Sequence, residues 1–331
     1  MDGWTLNSWH LCLTSFVMNK IDQYLQAAVR DNTRRSYRAA VEHFEVAWGG
    51  FLPATADSIA RYLADFAGEH SINTLRQRLA ALGQWHVSQG FPDPTKAPLV
   101  RQMLKGIRAM HPVQERQATA LTLEHLQRTI LHLEQRAATA QREQCLPDLL
   151  RARRDAALLL IGFWRGFRGD ELARLRVEHI QAQAGGGMQL YLPQSKGDRQ
   201  GRGVTHRMPA LKTLCPVQAY VEWITVAGIA RGPVFRKLDR WGNLGEEALN
   251  SGSLIALLRR IFADAGLPAE SYSAHSLRRG FATWASSNGW DTKALMSHVG
   301  WRDVKSALRY VDASASFGEL ELPVFKLIDR V

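Results

Sequence analysis

The sequence predicts a mainly α-helical protein with an all-α N-terminal domain and a mixed α/β C-terminal domain, mostly α with one small antiparallel sheet. Three observations support this fold class. The chain has 331 residues, which suits two domains better than one. Apolar residues recur at intervals of three or four over most of its length. Alternating segments typical of strands are confined to a short stretch of the second half.

The N-terminal domain is predicted over residues 18–110, as four or five helices separated by turn signals. Asn32 and Thr33 are cap candidates for the stretch NTRRSYRAAVEHFEVAW. The later helices are expected over residues 55–67, residues 71–89 and a segment opened by Asp93 and Pro94. Each helix has one apolar face, so together they predict a small bundle with its own core.

A linker is predicted over residues 111–120, because HPVQERQATA is polar, contains a proline and interrupts the helical period. The second domain then occupies residues 121–331. At the other end, residues 1–17 join no clear helical period, whereas Met18 opens one. Residues 1–17 are therefore expected to be a dispensable extension, and either Met1 or Met18 can be the start.

The C-terminal domain is predicted to be mostly helical. Its expected helices cover residues 121–136, 149–163, 251–265, 276–287, 292–299 and 304–311. Asp291 and Asp303 are expected to cap the last two. Residues 188–193 and Val204–Pro209 are expected to pair as a hairpin, joined by the polar loop QSKGDRQGRG with a basic tip.

Composition narrows the function. The formal net charge is +11, which suits a polyanionic partner such as nucleic acid. Cys12, Cys145 and Cys215 are far apart and lack metal-ligand spacing, so neither disulfides nor zinc is indicated and a reducing, cytoplasmic location is expected. No apolar run reaches the roughly 18 residues of a membrane helix, and no membrane partner is expected. Nucleotide-binding and metal-binding motifs are also absent from the sequence.

The second half carries cations and proton-transfer groups on separate elements. Arg168 stands in GFRGDELARL, where Asp170 is expected to cap a short helix, and Lys196 lies in the hairpin loop. His275 and Arg278 share one helical face in SAHSLRRGFATWA. The segment LMSHVGWRDVKSALRYVD adds His298, Trp301 and Tyr310. Each residue alone also has an ordinary structural explanation, as a surface cation or a packed aromatic.

Taken in order, these residues resemble the tyrosine recombinase (phage integrase) family. Its pattern is an arginine with a carboxylate three residues later, a hairpin lysine, a His-x-x-Arg pair, a histidine or tryptophan, and a tyrosine. The matching residues are Arg168, Glu171, Lys196, His275, Arg278, Trp301 and Tyr310. The resemblance covers about residues 20–320 and implies a helical core-binding domain followed by a catalytic domain.

The resemblance implies that Tyr310 attacks DNA and forms a 3′-phosphotyrosine bond, without any cofactor or metal. Arg168 and Arg278 would stabilise the phosphoryl transition state, because their planar guanidinium forks match phosphate oxygens. His275 would accept the tyrosine proton. The remaining roles are protonation of the leaving 5′-hydroxyl by Lys196, donation from the indole N–H of Trp301, and orientation of the cations by Glu171.

Trp301 and His298 are both candidates for the histidine-or-tryptophan position of the family pattern. Trp301 precedes Tyr310 by nine residues, as the family pattern requires, whereas His298 precedes it by twelve. The spacing therefore assigns the position to Trp301. His298 is expected to support the residues that touch DNA, without touching DNA itself.

The expected partner is double-stranded DNA with a specific recombination site, bound by a homotetramer; an accessory DNA-binding protein stays open. Phosphate-contact candidates in the first domain, with a merely solvated surface as the alternative, are Arg34, Arg35, Arg38, Arg76, Arg78 and Lys105. The tail FGELELPVFKLI is expected to form a helix that docks either on a neighbouring protomer or on its own chain.

Two other functions use similar residues. One is a type IB topoisomerase, which also cleaves DNA with a tyrosine and cations but need not form tetramers. The other is a non-catalytic DNA-binding protein of the same fold. Among recombinase roles, integration, excision and the resolution of cointegrates or dimers stay open.

Overall fold

The computed structural model describes residue 24 and residues 31–112, 118–195 and 202–311. The chain divides into two compact units, Met1–Arg116 and Gln117–Val331. This division falls within the stretch 111–120 that the sequence predicts as a linker. The predicted extension 1–17 and the C-terminal tail lie outside the described residues.

The N-terminal unit is helical throughout its described residues. Its helices are α1 (Asp31–Glu42), α2 (Ala56–Asp65), α3 (Ile72–Ser88) and α4 (Pro98–Met110), with a π-helical turn at His43–Ala47 and a 3₁₀ turn at Pro94–Lys96. Thr55 and Ser71 cap α2 and α3, since each hydroxyl accepts a backbone N–H at 3.1 Å. The predicted helices over 55–67 and 71–89 are confirmed.

The expectation that Asn32 and Thr33 cap the first helix is wrong. Both residues lie inside α1. The side chain of Asn32 instead accepts a hydrogen bond from the Arg35 guanidinium, one turn further along the same helix. A polar residue with a helical partner of this kind gives the same sequence signal as a cap.

The core of the N-terminal unit combines a leucine stripe with an aromatic cluster. Leu75, Leu79 and Leu82 of α3 are buried, as their spacing predicts. The rings of Phe44, Trp48 and Phe66 meet Tyr62 with centroids 5.1, 5.4 and 5.2 Å away, in edge-to-face arrangements. This cluster packs the π-helical turn against α2.

The second unit has eight helices among its described residues. They are α5 (Leu123–Arg142), α6 (Leu146–Arg165), α7 (Gly169–Ala173), α8 (Pro216–Ala227), α9 (Ser253–Asp264), α10 (Ala274–Ser287), α11 (Thr292–Val299) and α12 (Val304–Val311). Two 3₁₀ turns lie at Val177–His179 and Ala269–Ser271. The last two helices have their predicted bounds, and Asp291 and Asp303 each accept a backbone N–H at the start, at 2.9 and 3.2 Å.

Two small antiparallel sheets complete this unit. Strands β1 (Ile180–Gln183), β2 (Gly187–Leu192) and β3 (Val204–Pro209) pair in that order, and β4 (Arg236–Leu238) pairs with β5 (Leu244–Ala248). In the predicted hairpin, Met188 faces Met208 and Leu190 faces His206. Residues 196–201 of its loop lie outside the described residues.

The sequence prediction missed helix α8 and strands β1, β4 and β5. Helix α8 reads PVQAYVEWITVA, whose β-branched and aromatic residues favour strands locally. It is helical because Val217, Tyr220 and Trp223 are buried together in the domain core. The missed strands are short and half polar, so they carry little alternating signal.

Helix α10, which carries His275 and Arg278, is held against the start of its unit by a very close backbone approach. A Cβ atom at Gly280 would lie 2.1 Å from the carbonyl oxygen of Leu121. Leu121 in turn donates its backbone N–H to the carbonyl of Ser276 at 3.0 Å. Only glycine permits this approach, and it fixes the helix relative to the core. Among the described residues, no helix is both long and apolar enough to cross a membrane.

Candidate active site

Arg168 and Glu171 form a local pair at the junction between α6 and α7. Helix α6 is followed by the capping residue Gly166, whose φ of 61° is left-handed and suits glycine. The Glu171 carboxylate accepts from the backbone N–H of Arg168 at 3.1 Å and from its Nη1 at 2.8 Å. Asp170 was expected to cap this helix, but that prediction is wrong. Asp170 lies within α7 and pairs with Arg174 at 2.7 Å.

The Glu171 carboxylate is buried yet stays ionised. Burial by itself would raise its pKa, but the charge of Arg168 and the two hydrogen bonds from that residue outweigh burial and hold the pKa below its usual value. A buried carboxylate held in this way keeps the guanidinium of Arg168 in one orientation.

Arg278 is a buried cation with an unused donor. Its side chain is on α10 and only 5% of the residue is exposed. Nη1 donates to the carbonyl of Gly166 at 2.7 Å, whereas the buried Nη2 has no hydrogen-bond partner among the described residues. Burial, and then repulsion from Arg168, lower the pKa of Arg278 to about 9. The group is still protonated at neutral pH, and an anion beside it would relieve both penalties.

Trp301 and Tyr310 lie next to this cation. Their rings stack with centroids 5.0 Å apart and planes 11° from parallel. The Cζ atom of Arg278 is 5.2 Å from the Trp301 ring, and that of Arg279 is 5.5 Å from the Tyr310 ring. Three successive contacts therefore link Arg278, Trp301, Tyr310 and Arg279.

The turn between α11 and α12 explains why Trp301 and Tyr310 meet. Gly300 ends α11 with a left-handed φ of 73°, and the backbone N–H of Trp301 bonds back to Met296 at 2.9 Å. Asp303 then starts α12, whose last turn presents Tyr310. The two aromatic side chains are thus brought together by a cap at each side of a short turn.

The two other predicted catalytic residues are His275 and Lys196. His275 lies in the first turn of α10, exposed and one turn before Arg278, where Ser273 caps the helix. Lys196 lies outside the described residues.

His298 packs into the domain interior. Its Nε2 donates to the carbonyl of Trp164 at 2.8 Å, and its ring stacks on Phe281 with centroids 4.6 Å apart. Burial, together with the nearby charge of Arg165, lowers its pKa to about 4, so it is neutral at physiological pH. This environment fits a residue that supports the site residues without touching DNA itself.

Sequence reasoning missed two residues that adjoin this site, Arg165 and His206. Arg165 is the last residue of α6 and is 6% exposed. Its guanidinium donates to the carbonyl of His298 and to Nδ1 of His206 on β3. The sequence signal that could have identified Arg165 is its position as the single charged residue of the apolar run LLLIGFWRGF.

The six phosphate-contact candidates of the N-terminal unit fall into two groups. Arg35, Arg38, Arg76 and Lys105 are exposed, and Arg34 is half-buried. Arg78 is also half-buried, and its Nη1 donates to the Tyr62 hydroxyl at 2.8 Å and lies 2.5 Å from Nδ1 of His43. This geometry favours a structural role for Arg78. In the part of the chain that is described, no three His, Cys, Asp or Glu side chains converge as a metal site would require.

Comparisons with known proteins identify the family of the chain. Residues 138–316, more than half of the chain, match the Phage integrase family. The integrase/recombinase xerD homolog of Selenomonas ruminantium is 29% identical over 308 residues, covering 90% of this chain and 86% of the relative. Recombinase cre of Escherichia phage P1 is 25% identical over 276 residues, covering 79% and 77%.

Solved structures share the fold. The XerH site-specific recombinase bound to palindromic difH substrate aligns with a TM-score of 0.57 at 18% identity, over 85% of this chain and 76% of that one. A λ integrase dimer bound to a COC′ core site aligns with a TM-score of 0.54 at 16% identity, over 92% and 79%. The order of the site residues, the geometry around Arg278 and these matches lead to one conclusion: the chain belongs to the phage integrase family and is a site-specific tyrosine recombinase.

Proposed function

We propose that Tyr310 cleaves DNA at a specific site through a 3′-phosphotyrosine bond, within an active site formed by Arg168, Glu171, Lys196, His275, Arg278 and Trp301. The observation that carries this assignment is the buried Arg278 guanidinium, whose Nη2 has no partner among the described residues and which adjoins the Trp301–Tyr310 stack. A phosphate oxygen is a strong acceptor for such a donor. The site is therefore suited to bind a phosphodiester next to the nucleophile.

Charge is the main obstacle that the site has to overcome. In-line displacement at phosphorus places additional negative charge on the nonbridging oxygens. The guanidinium groups of Arg278 and Arg168 stabilise this charge by donating hydrogen bonds to the oxygens. Glu171 holds the Arg168 guanidinium in place through its 2.8 Å contact. The Trp301 indole N–H supplies one more neutral donor.

The proposed reaction needs no cofactor, because the side chains supply and accept every proton that moves. The Tyr310 oxygen forms a bond to phosphorus as its proton passes to His275, and the bond from phosphorus to the 5′ oxygen breaks. Lys196 gives its proton to that oxygen. Because one phosphate ester replaces another, the reverse attack by a 5′-hydroxyl of a second strand rejoins DNA without ATP or metal.

Strand exchange between two duplexes needs four such sites, so we propose a homotetramer that assembles on two DNA sites. The related λ integrase bound to its core site as a dimer supports assembly on DNA. The exposed cations Arg35, Arg38, Arg76 and Lys105 are proposed to contact phosphates. Integration, excision and resolution of cointegrates or dimers are all compatible with this chemistry.

Tyr310→Phe tests the assignment. It removes only the nucleophilic oxygen, so cleavage of a suicide substrate falls below detection while DNA affinity stays within about twofold. Gel retention measures binding, and a denaturing gel detects the covalent adduct. An adduct that persists in Tyr310→Phe means that another residue is the nucleophile. A strand-exchange assay on paired sites separates recombination from relaxation by a topoisomerase.

A further inference from the structure

Arg165 joins three elements of the catalytic unit through one guanidinium. It ends α6, three residues before Arg168. It donates to the backbone carbonyl of His298 near the end of α11 and to the ring of His206 on β3. Its Cζ also lies 5.9 Å from the ring of Phe167. These hydrogen-bond partners are 133 and 41 residues away in the sequence, so Arg165 links segments that are otherwise distant.

Burying an arginine that has no carboxylate in direct contact is costly for a residue that only packs in the core. No described carboxylate lies within ion-pair distance of Arg165, and burial lowers its pKa to about 10, an effect that the charge of Glu171 offsets only in part. An apolar residue of similar volume would avoid this desolvation penalty. The hydrogen bonds of Arg165 therefore have a role that apolar packing lacks, because they fix the relative orientation of the elements that they join.

Both partners of Arg165 are suited to accept from it throughout the physiological range. Burial and then the charge of Arg165 lower the pKa of His206 to about 3, so the ring is neutral. Because a guanidinium can only donate, its contact with Nδ1 assigns the ring proton to Nε2 and makes Nδ1 the acceptor. The other acceptor is a backbone carbonyl, which does not titrate. The connection is thus a permanent brace rather than a pH switch.

The brace acts just before the turn that carries Trp301. The carbonyl of His298 lies three residues before Trp301, and Gly300 and Trp301 turn back onto α11 through bonds to Met296. The same guanidinium is anchored on the helix that leads into Arg168. A shift of this turn would move the indole relative to the two arginines.

We infer that Arg165 is a positioning residue, which fixes the turn carrying Trp301 relative to Arg168 and Arg278 through its hydrogen bond to the carbonyl of His298. This inference rests on the proposed role of Trp301 as a donor to the phosphate. Arg165 itself acts through Trp301. His206 holds the guanidinium in the orientation that reaches the carbonyl.

The test is a double-mutant cycle between Arg165 and Trp301, read as single-turnover cleavage of a suicide substrate. Arg165→Met removes the donors and keeps most of the volume, and we expect a loss of about 10²-fold in rate with nearly unchanged DNA affinity. Trp301→Phe removes the indole donor alone and is expected to lose roughly 10²- to 10³-fold. In the Arg165→Met background, Trp301→Phe is expected to lose less than about tenfold, because the donor is already misplaced.

Arg153→Met is the matched control. Arg153 lies on the same helix and is paired with Glu134 at 2.6 Å and Glu222 at 2.7 Å, away from the candidate site. It is expected to change thermal stability and leave the cleavage rate within about threefold. His206→Gln keeps an acceptor for Arg165 and is expected to cleave faster than His206→Leu, which has none.

The outcomes separate the two levels of the proposal. Full additivity in the cycle, or an Arg165→Met protein that cleaves at the wild-type rate, overturns the positioning role of Arg165. A Trp301→Phe protein with undiminished cleavage overturns the donor role of Trp301 itself. If Arg165→Met fails to fold, the same cycle with His206→Leu decides the question, and additivity there counts against the brace.

Discussion

The N-terminal unit and the catalytic unit each place an arginine beside aromatic rings, half-buried Arg78 in the first and buried Arg278 in the second, and the donors of the two are used differently. Arg78 in the N-terminal unit contacts Tyr62 and His43, and its Cζ lies 5.7 Å from the Phe66 ring. Arg278 in the catalytic unit bonds the carbonyl of Gly166 and leaves the buried Nη2 without a partner among the described residues. Nη1 of Arg78 has two protein partners, whereas the buried Nη2 of Arg278 has none among the described residues and is suited to an additional acceptor.

The aromatic groups differ in the same way. Around Tyr62 the rings meet edge to face, the arrangement typical of a hydrophobic core. Trp301 and Tyr310 instead stack nearly parallel, with a guanidinium beside each ring. The comparison indicates that contact between a cation and aromatic rings says little about function, whereas a buried donor without a partner among the described residues, next to the Trp301–Tyr310 stack, points to a ligand.

The strongest test of this contrast replaces each arginine with lysine. Arg278→Lys keeps a charge but loses the fork, so we expect a loss of roughly 10³-fold in single-turnover cleavage with DNA affinity much less affected. Arg78→Lys is expected to cleave within about threefold of wild type and to lose about 1 to 2 kcal/mol of stability. Equal rate losses in the two variants would remove the distinction between the two units.

The next test sharpens the contrast inside the catalytic unit. Trp301→Ala removes the proposed donor to the phosphate, and we expect cleavage to fall roughly 10²- to 10³-fold, partly through lost packing. His298→Ala removes a ring that contacts Phe281 and Trp164, so we expect a milder defect in rate and a clear loss of thermal stability. A larger rate defect in His298→Ala would transfer the donor role to His298.

A third test compares glycines on helices of the two units. Gly280→Ala forces a Cβ against the backbone of Leu121, and we expect about 3 kcal/mol of destabilisation. Gly106 on α4 has open space around it, so Gly106→Ala is expected to stabilise by about 0.5 to 1 kcal/mol. Urea denaturation of both variants provides the measurement. A neutral Gly280→Ala would show that α10 tolerates a shift.

The last test concerns the dependence of stability on pH. The pKa of His298 is about 4 in the folded protein, against an ordinary value of 6.5. Between these values the unfolded chain binds the proton and the folded chain does not, so stability is full above pH 6.5 and declines as the pH falls toward 4. His206 acts in the same direction, with a pKa of about 3.

His298→Gln provides the check on this dependence, because an amide N–H replaces the donor to Trp164 and does not titrate. We expect the melting temperature of His298→Gln to fall less between about pH 7 and pH 5 than that of wild type. An identical fall in both proteins would mean that His298 is not responsible. In the N-terminal unit, burial and the nearby Arg78 also lower the pKa of His43, so His43→Gln is the corresponding comparison.

Much of the molecule is determined by local sequence signals. Helix spacing and capping residues determined α2, α3, α11 and α12, because both are properties of four or five consecutive residues. The order of the site residues from Arg168 to Tyr310 likewise pointed to the family without knowledge of any contact. Local signals failed where two residues compete for one role, as Asp170 and Glu171 do at the start of α7.

Other features were decided only by the tertiary structure. Helix α8 is helical because its apolar residues are buried together, against their local preference for strand. The brace of Arg165 with His206 and His298 joins residues up to 133 positions apart, and the partnership of Arg78 with Tyr62 and His43 likewise spans three elements. The sequence by itself determined which faces are apolar and named the residues that are proposed to carry the chemistry. Only the folded chain decided which buried cations are satisfied, because a hydrogen bond depends on distance and direction that no local pattern encodes.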